Sequence, residues 1–310
     1  MNRKHTIEDY LLVYKKLTVK SNTFILYKQI ERIINDYQEQ ISRKLLLNEI
    51  NLNFRDEFLS YLNDEGFGNN SIIQHINTLA QVCRYAGKRG ESVSNETIYF
   101  KDGLSKKKTL NVYLSFDEIK NIYELEFDDK REDIARDWLI ISCNTAQRVG
   151  DLQLFNKKNI KGNFLTVQQS KNDQSKPLEI PLLPQVQAIL KKYKGNFPPI
   201  FSDNPKTNYQ VYNRAIKRVC RRANLDDVVE TLASKTKDSS SKKTTKKKWE
   251  LIGTHIGRRS FATNYYGKLS TEDIMSITNH KTESSFLLYI DKNRKIDRDK
   301  LMDDLIKASK

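Results

Sequence analysis

The stretch on which the fold of this chain turns runs from Thr254 to Tyr289. It reads T-H-I-G-R-R-S-F-A-T-N-Y-Y over 254–266 and, after a short helical spacer, I-T-N-H-K-T-E-S-S-F-L-L-Y over 277–289. It gathers His255, His280, Arg258, Arg259 and Tyr289 in a chain with only four histidines in all. His255 and Arg258 are three apart, so on a helix both point to one side. His280 and Tyr289 are nine apart, too far for one helical face, so a turn or a second helix has to bring them together. Histidine, arginine and tyrosine in one place are the profile of a site that handles phosphate.

Composition supplies the partner. The 310 residues are long enough for two ordinary domains. With 38% hydrophobic and 30% charged residues, the balance is that of a folded protein rather than a disordered one. Lys and Arg number 54 against 39 Asp and Glu, a net charge of +15. Such an excess favours a polyanion, of which DNA or RNA is the commonest, with a membrane surface as the alternative. No apolar run approaches the roughly 20 residues that span a bilayer, and Trp138–Ile141 is only core-sized. The first ten residues hold no stretch of signal-peptide type, so a cytoplasmic location is expected. Cys83, Cys143 and Cys220 form no C-x-x-C pair and read as reduced structural thiols.

Residues 1–100 carry helical periodicity with short polar breaks near Thr18–Asn22 and Asn63–Asn70. Tyr10, Leu11, Tyr14 and Leu17 mark one helix, and Phe24, Tyr27, Ile30, Ile34 and Tyr37 another. In a third, Ile72, Ile76, Leu79, Cys83 and Ala86 recur at steps of three and four, with Asn70 or Ser71 expected as the N-cap and Gln74 three residues on. The opposite face, including Arg84 and Lys88, is either an ordinary solvated face or one that lies along a DNA backbone. A basic interdomain linker is expected at 101–113, with Lys106, Lys107 and Lys108 placed to gain affinity for phosphates by counterion release.

The second domain begins at Leu114. Ser115 and Glu118 form a capping box that starts a helix expected to turn Phe116, Ile119, Ile122 and Tyr123 inward. An apolar helix, Ile134–Asn144, ends in T-A-Q-R-V-G-D. Between Asn159 and Leu182 the period changes to that of short strands, with Lys171 at the exit of the middle one and Lys176 at the far end of the turn. Helices resume from Pro184 to Tyr193 and from Tyr209 to Ala223. Residues 234–248, including Lys242 and Lys243, are lysine-rich and low in complexity. They are expected to be flexible, either as an expendable loop or as a basic flap that orders on DNA.

Separated pieces thus converge on one chemistry: Arg148, Lys171, His255 with Arg258, and His280 with Tyr289. Attack on a phosphodiester without metal needs a nucleophile, a base, cations for the developing charge and an acid for the leaving alkoxide. Arginine suits the non-bridging oxygens because its planar fork donates twice and stays charged. Tyrosine needs a neighbouring base, and histidine is one. There is no clustered Asp/Glu set and no H-E-x-x-H, so metal chemistry is the weaker reading.

The order R-V-G-D, a hairpin lysine, H-I-G-R and then H-x8-Y resembles the tyrosine recombinase (phage integrase) family over Leu114 to about Lys295, with residues 1–100 similar to its SAM-like core-binding domain. The resemblance implies a mainly α fold with a small antiparallel β-sheet in a catalytic domain at 114–295, and two domains forming a C-shaped clamp on DNA. It implies Arg148 and Arg258 as phosphate-binding arginines, Lys171 as general acid and His255 as the histidine assisting proton transfer. It also implies His280 as a donor to the scissile phosphate, Tyr289 as nucleophile, and Asp151 as a supporting acid. Arg259 reads as a contact to the DNA backbone or a structural partner. Departures are T-A-Q-R where T-G-L-R is frequent, and N-H-K where G-H-x is frequent.

The activity so implied is cleavage and rejoining of DNA through a 3'-phosphotyrosyl link, without metal, ATP or other cofactor, to integrate, excise or invert a DNA element. Double-stranded DNA with paired recombination sites is the expected partner. A homotetramer on DNA, a monomer in solution and accessory DNA-bending proteins go with it. A C-terminal helix at 296–310 is expected, docking on a neighbour or packing on its own domain. The rivals are a type IB topoisomerase-like relaxation of strands and a catalytically idle DNA-binding architectural protein.

Overall fold

The computed structural model of the chain describes residues 6–11, 21–107, 110, 112–167, 177–232 and 243–290. It divides into two compact units, one comprising Met1–Thr109 with Thr231–Thr244, the other Leu110–Glu230 with Thr245–Lys310. The fold is mainly α, with a three-stranded antiparallel sheet and a separate two-stranded one among the described residues.

The first unit is built on α1 (Ser21–Gln40), α2 (Leu52–Asp64) and α3 (Asn69–Gly87). Ile30, Ile34, Phe58, Leu62, Ile76, Leu79 and Cys83 are buried in a common core, as the three-and-four spacing requires. Aromatics fill it: the Tyr37 ring centre lies 5.0 to 6.0 Å from those of Phe54, Phe58 and Tyr61. Asn51 caps α2 by accepting from the Phe54 amide.

Helix α3 departs from expectation at its start. Gly68 occupies the N-cap without a side-chain bond, and neither Asn70 nor Ser71 caps the helix. The Asn69 amide donates instead to the Ser105 carbonyl, and the Asn70 side chain both donates to and accepts from the Lys107 backbone. The returning chain offers these amides a partner 37 residues away, which no local pattern announces. The start of the basic linker is therefore tied to α3, with Lys106 and Lys107 exposed. Lys88 is exposed and Arg84 half-buried on the same helix.

The second unit is organised round α5 (Lys130–Thr145), which α4 (Phe116–Glu124), α7 (Pro184–Lys192), α8 (Pro205–Arg222) and α10 (Ile256–Tyr265) pack against. Trp138, Leu139, Ile140 and Ile141 are all buried, and the Trp138 indole donates to the Pro199 carbonyl at 3.1 Å. The capping box is present: Ser115 Oγ accepts from the Glu118 amide and Glu118 from the Ser115 amide. Ile119 and Ile122 point into the core, whereas Phe116 is 40% exposed. Its ring packs edge-on to Tyr265 beneath Lys268, because the first residue of the helix lies beside the solvent-facing flank of α10.

In the sheet, β1 (Ile160–Lys161), β2 (Phe164–Val167) and β3 (Leu178–Pro181) run in that order, with Leu165 opposite Ile180 and both buried. Helix α8 begins four residues earlier than the periodicity suggests, capped by Asn204 with Pro205 in its first turn. Of the lysine-rich segment, residues 243–247 form strand β5, paired with β4 (Val228–Leu232), and Lys248 opens the short helix α9 (Lys248–Leu251). The expected flexibility does not extend to them, since pairing with β4 supplies the hydrogen bonds that composition conceals. A small third cluster, Ala146, Phe261, Ala262, Ile274, Phe286 and Ile290, lies under the stretch from 254 to 289.

Cys83, Cys143 and Cys220 are free and buried, and burial pushes the Cys83 and Cys143 thiols up to about 12. No helix among the described residues is long and apolar enough to cross a membrane.

Candidate active site

Three pieces of the second unit meet on the small cluster. The first is the end of α5. Ala146 leaves the helix in the left-handed region at φ 56°, its amide bonded back to Ser142, so that Gln147 and Arg148 turn away from the helix axis. Gln147 is buried, and its amide donates to the Thr145 and Ile277 carbonyls at 2.7 and 3.0 Å, stapling this corner to α11 (Thr271–Thr278). Arg148 then stands at the N-cap of the single-turn helix α6 (Val149–Leu152), half-buried, with Asp151 buried in that same turn.

The second piece is α10. His255 is its N-cap residue and Arg258 follows in the first turn. Gly257 explains how close this helix comes to α5: a Cβ there would lie 2.6 Å from Ser142 Cβ and 2.7 Å from the Ser142 carbonyl carbon. Arg258 is only 1% exposed, and its guanidinium donates to the Ala146 carbonyl at 3.1 Å and to the Thr278 carbonyl. Arg259, half-buried, donates to the Val112 carbonyl at 3.3 Å.

The third piece is the corner after α11. Asn279 caps the helix in the left-handed region, and the His280 amide returns to the Met275 carbonyl. The two positions where the resembling family often has glycine, 146 and 279, are thus both left-handed here, one filled by alanine and one by asparagine. A short helix, α12 (Glu283–Leu287), carries the chain round, and Tyr289 follows in a turn with its carbonyl accepting from Thr263. Of the turn or second helix that a nine-residue spacing called for, the chain uses a short helix followed by a turn. The His280 and Tyr289 rings end 4.7 Å apart, tilted at 59°, and the Phe286 ring packs edge-on to the imidazole at 5.7 Å.

These residues share one electrostatic neighbourhood. Burial, and then the charge of Arg148, lower the Arg258 pKa to about 10, while Tyr289 and Asp151 work against the shift. Desolvation, then Arg258 and Arg148, hold His280 down to about 4. His255 is exposed at the surface, yet the protein crowding its ring, followed by Arg259, Arg258 and Arg148, also lowers its pKa. Both imidazoles are neutral at pH 7, and an anion bound beside the two arginines offsets the arginine part of each shift while leaving the part due to burial.

Arg148, Asp151, His255, Arg258, His280 and Tyr289 are therefore brought together. Lys171, Lys108, Lys242 and the tail at 296–310 lie outside the described residues, and Lys243 is placed only as a strand residue. Thr278 was not foreseen: it is buried and bonded to both Arg258 and His280. The two-residue step T-x-H was its only sequence signal. Nor was His75, buried in α3 against Phe67 with neither ring nitrogen hydrogen-bonded to a described residue. Among the described residues no group of three or more His, Cys, Asp or Glu is placed to hold a metal ion.

Residues 6–102 match the phage integrase SAM-like domain. A lambda integrase dimer bound to a COC' core site is similar with a TM-score of 0.68 and 20% identity, over 95% of this chain and 80% of that one. An integrase of the transposon Tn1549, in complex with a circular intermediate DNA, gives 0.70 and 15% over 96% and 99%. A lambda integrase tetramer bound to a Holliday junction gives 0.67 and 21% over 96% and 80%. At these identities the likeness is one of fold. No curated protein matches the sequence.

Proposed function

We propose, for a chain whose fold and N-terminal domain are those of the tyrosine recombinase family, that it is a site-specific recombinase cleaving and rejoining DNA through Tyr289. The observation that carries this is the convergence of two arginines, two neutral imidazoles and a tyrosine in one electrostatic neighbourhood, with the Arg258 guanidinium carbon 5.7 Å from the Tyr289 ring centre and the His280 and Tyr289 rings 4.7 Å apart.

In the reaction the Tyr289 oxygen attacks phosphorus, the P–O5' bond breaks, and a 3'-phosphotyrosyl link and a free 5'-hydroxyl result. The phenolic proton leaves toward a neutral imidazole, for which His255 is the assigned base. Arg148 and Arg258 take the non-bridging oxygens, where charge grows in the transition state. Arg258 is held in place by two carbonyls before any substrate arrives, so little of its orientation has to be acquired during reaction. Lys171 is the assigned acid for the departing 5'-oxygen. A 5'-hydroxyl from a second strand then attacks the phosphotyrosyl link and restores the phosphodiester, so the bond energy is conserved. The lambda integrase tetramer on a Holliday junction supports a four-protomer assembly for the exchange.

The test is a nicked suicide duplex from the flanks of the element that carries the gene. A covalent protein–DNA adduct that Tyr289→Phe abolishes is expected, and no adduct on any such duplex refutes the proposal. Exchange of strands between two duplexes separates a recombinase from an enzyme that reseals the same strand.

A further inference from the structure

Thr278 is the last residue of α11 and is fully buried, at 0% exposure. Its carbonyl accepts from Arg258. Its hydroxyl lies 2.7 Å from the Ile274 carbonyl oxygen and 2.8 Å from His280 Nδ1. Asn279, between the two side chains, has φ 47° and ψ 51°, and this left-handed turn brings the imidazole of residue 280 back over the hydroxyl of residue 278.

A carbonyl only accepts, and a threonine hydroxyl has a single proton to give. With that proton donated to Ile274, the hydroxyl turns its lone pairs toward the imidazole, and the contact at 2.8 Å is a hydrogen bond only if Nδ1 carries the hydrogen. Desolvation and the two arginines keep His280 neutral at pH 7, so the ring has one proton and its location decides what the other nitrogen can do.

We propose that Thr278 is a positioning residue of this site: its hydroxyl fixes neutral His280 as the Nδ1–H tautomer, leaving Nε2 a lone-pair acceptor, while its carbonyl seats Arg258. On the reading that the site binds a DNA phosphodiester, on which this consequence rests, His280 meets the phosphate unable to donate from Nε2. It becomes a donor by taking a proton from solvent, once the phosphate charge offsets Arg148 and Arg258.

The tautomer is read directly by two-bond proton–nitrogen NMR on DNA-free protein labelled with 15N-histidine, since only four histidines contribute and His280→Gln identifies the relevant set. At pH 7 the parent and Thr278→Ser are expected to show a pyrrole-type Nδ1 and a pyridine-type Nε2. Thr278→Val, nearly isosteric but without the hydroxyl, is expected to lose that preference and to cleave DNA more slowly than Thr278→Ser. An Nε2–H tautomer in the parent overturns the proposal, and this arm needs no variant to fold. An unchanged tautomer in Thr278→Val, or cleavage by it at the parent's rate, overturns it as well. If no DNA yields a Tyr289 adduct, the recombinase reading fails, while the spectra still decide the role of Thr278.

Discussion

The Arg258 guanidinium carbon lies 5.7 Å from the centre of the Tyr289 ring, and the same guanidinium is bonded to the carbonyls of Ala146 and Thr278. One buried cation thus joins the end of α5, the end of α11 and the candidate nucleophile. Arg148 contrasts with it, being half-buried and without a side-chain hydrogen bond to any described residue.

The two arginines should therefore separate in their effects. Arg258→Ala strands two buried carbonyls, each worth roughly 1–3 kcal/mol when unpaired, so urea unfolding should show a loss of about 3 kcal/mol together with loss of cleavage. Arg148→Ala should change stability by less than about 1 kcal/mol, because it removes a like charge rather than a buried contact. Its cleavage should be lost with DNA binding largely kept, since one phosphate contact is a small part of a basic footprint. Equal destabilisation of the two variants would show that Arg148 is structural.

Gly257→Ala tests the approach of α10 to α5. The added carbon meets the Ser142 side chain and its backbone carbonyl carbon, so the helices have to separate. A cost of about 1–3 kcal/mol is expected by thermal or urea unfolding, and Ser142→Ala should not restore it, because Cβ and backbone contacts persist. A fully stable Gly257→Ala would mean that the helices are free to part.

Ala146 stands in a left-handed conformation that costs an alanine roughly 1–2 kcal/mol. Ala146→Gly relieves that cost. It also removes a buried methyl worth about 0.8 kcal/mol and adds chain entropy of about 0.5–1 kcal/mol, so near-neutral stability is expected. Ala146→Val, β-branched in the same conformation, should lose clearly more than the glycine variant. The reverse order in unfolding experiments would contradict the conformation.

Stability should also depend on pH through His280. Its folded pKa of about 4 lies below the unfolded value near 6.5, so between these values the unfolded chain binds the extra proton. The contribution is full above about pH 6.5 and is lost as pH falls toward 4. Allowing for solvent screening of a half-buried ring, it is on the order of 1–3 kcal/mol. His75 and His255 shift in the same direction, so the diagnostic is the difference between parent and His280→Gln. The variant should lose less stability between pH 7 and pH 5, and an equal slope would show that His280 titrates alike in the folded and unfolded chain.

Much of this was legible in residues that act locally. The Ser115–Glu118 capping box, the alternation over β2 and β3, and the nine-residue step from His280 to Tyr289 each express a short-range rule. What escaped depends on partners remote in sequence. Asn70 forgoes capping because Lys107 comes back to it, and Phe116 finds Tyr265 outside the core. Strand β5 looks like a disordered lysine tract until β4 pairs with it. Thr278 matters because the residue after it turns left-handed, a property that asparagine permits but does not announce.

Tyr289 and His280 do not rest on the large core that surrounds α5. They rest on six buried side chains: Ala146 at the end of α5, four from within α10, α11 and α12, and Ile290 in the turn beyond. A patch that small carries a lower free energy of opening than the main core, so its amides should exchange with solvent by sub-global fluctuations while α5 stays closed. The candidate nucleophile is therefore expected to open with this patch rather than with α5, which native-state hydrogen exchange of the amides from Glu283 to Ile290 measures.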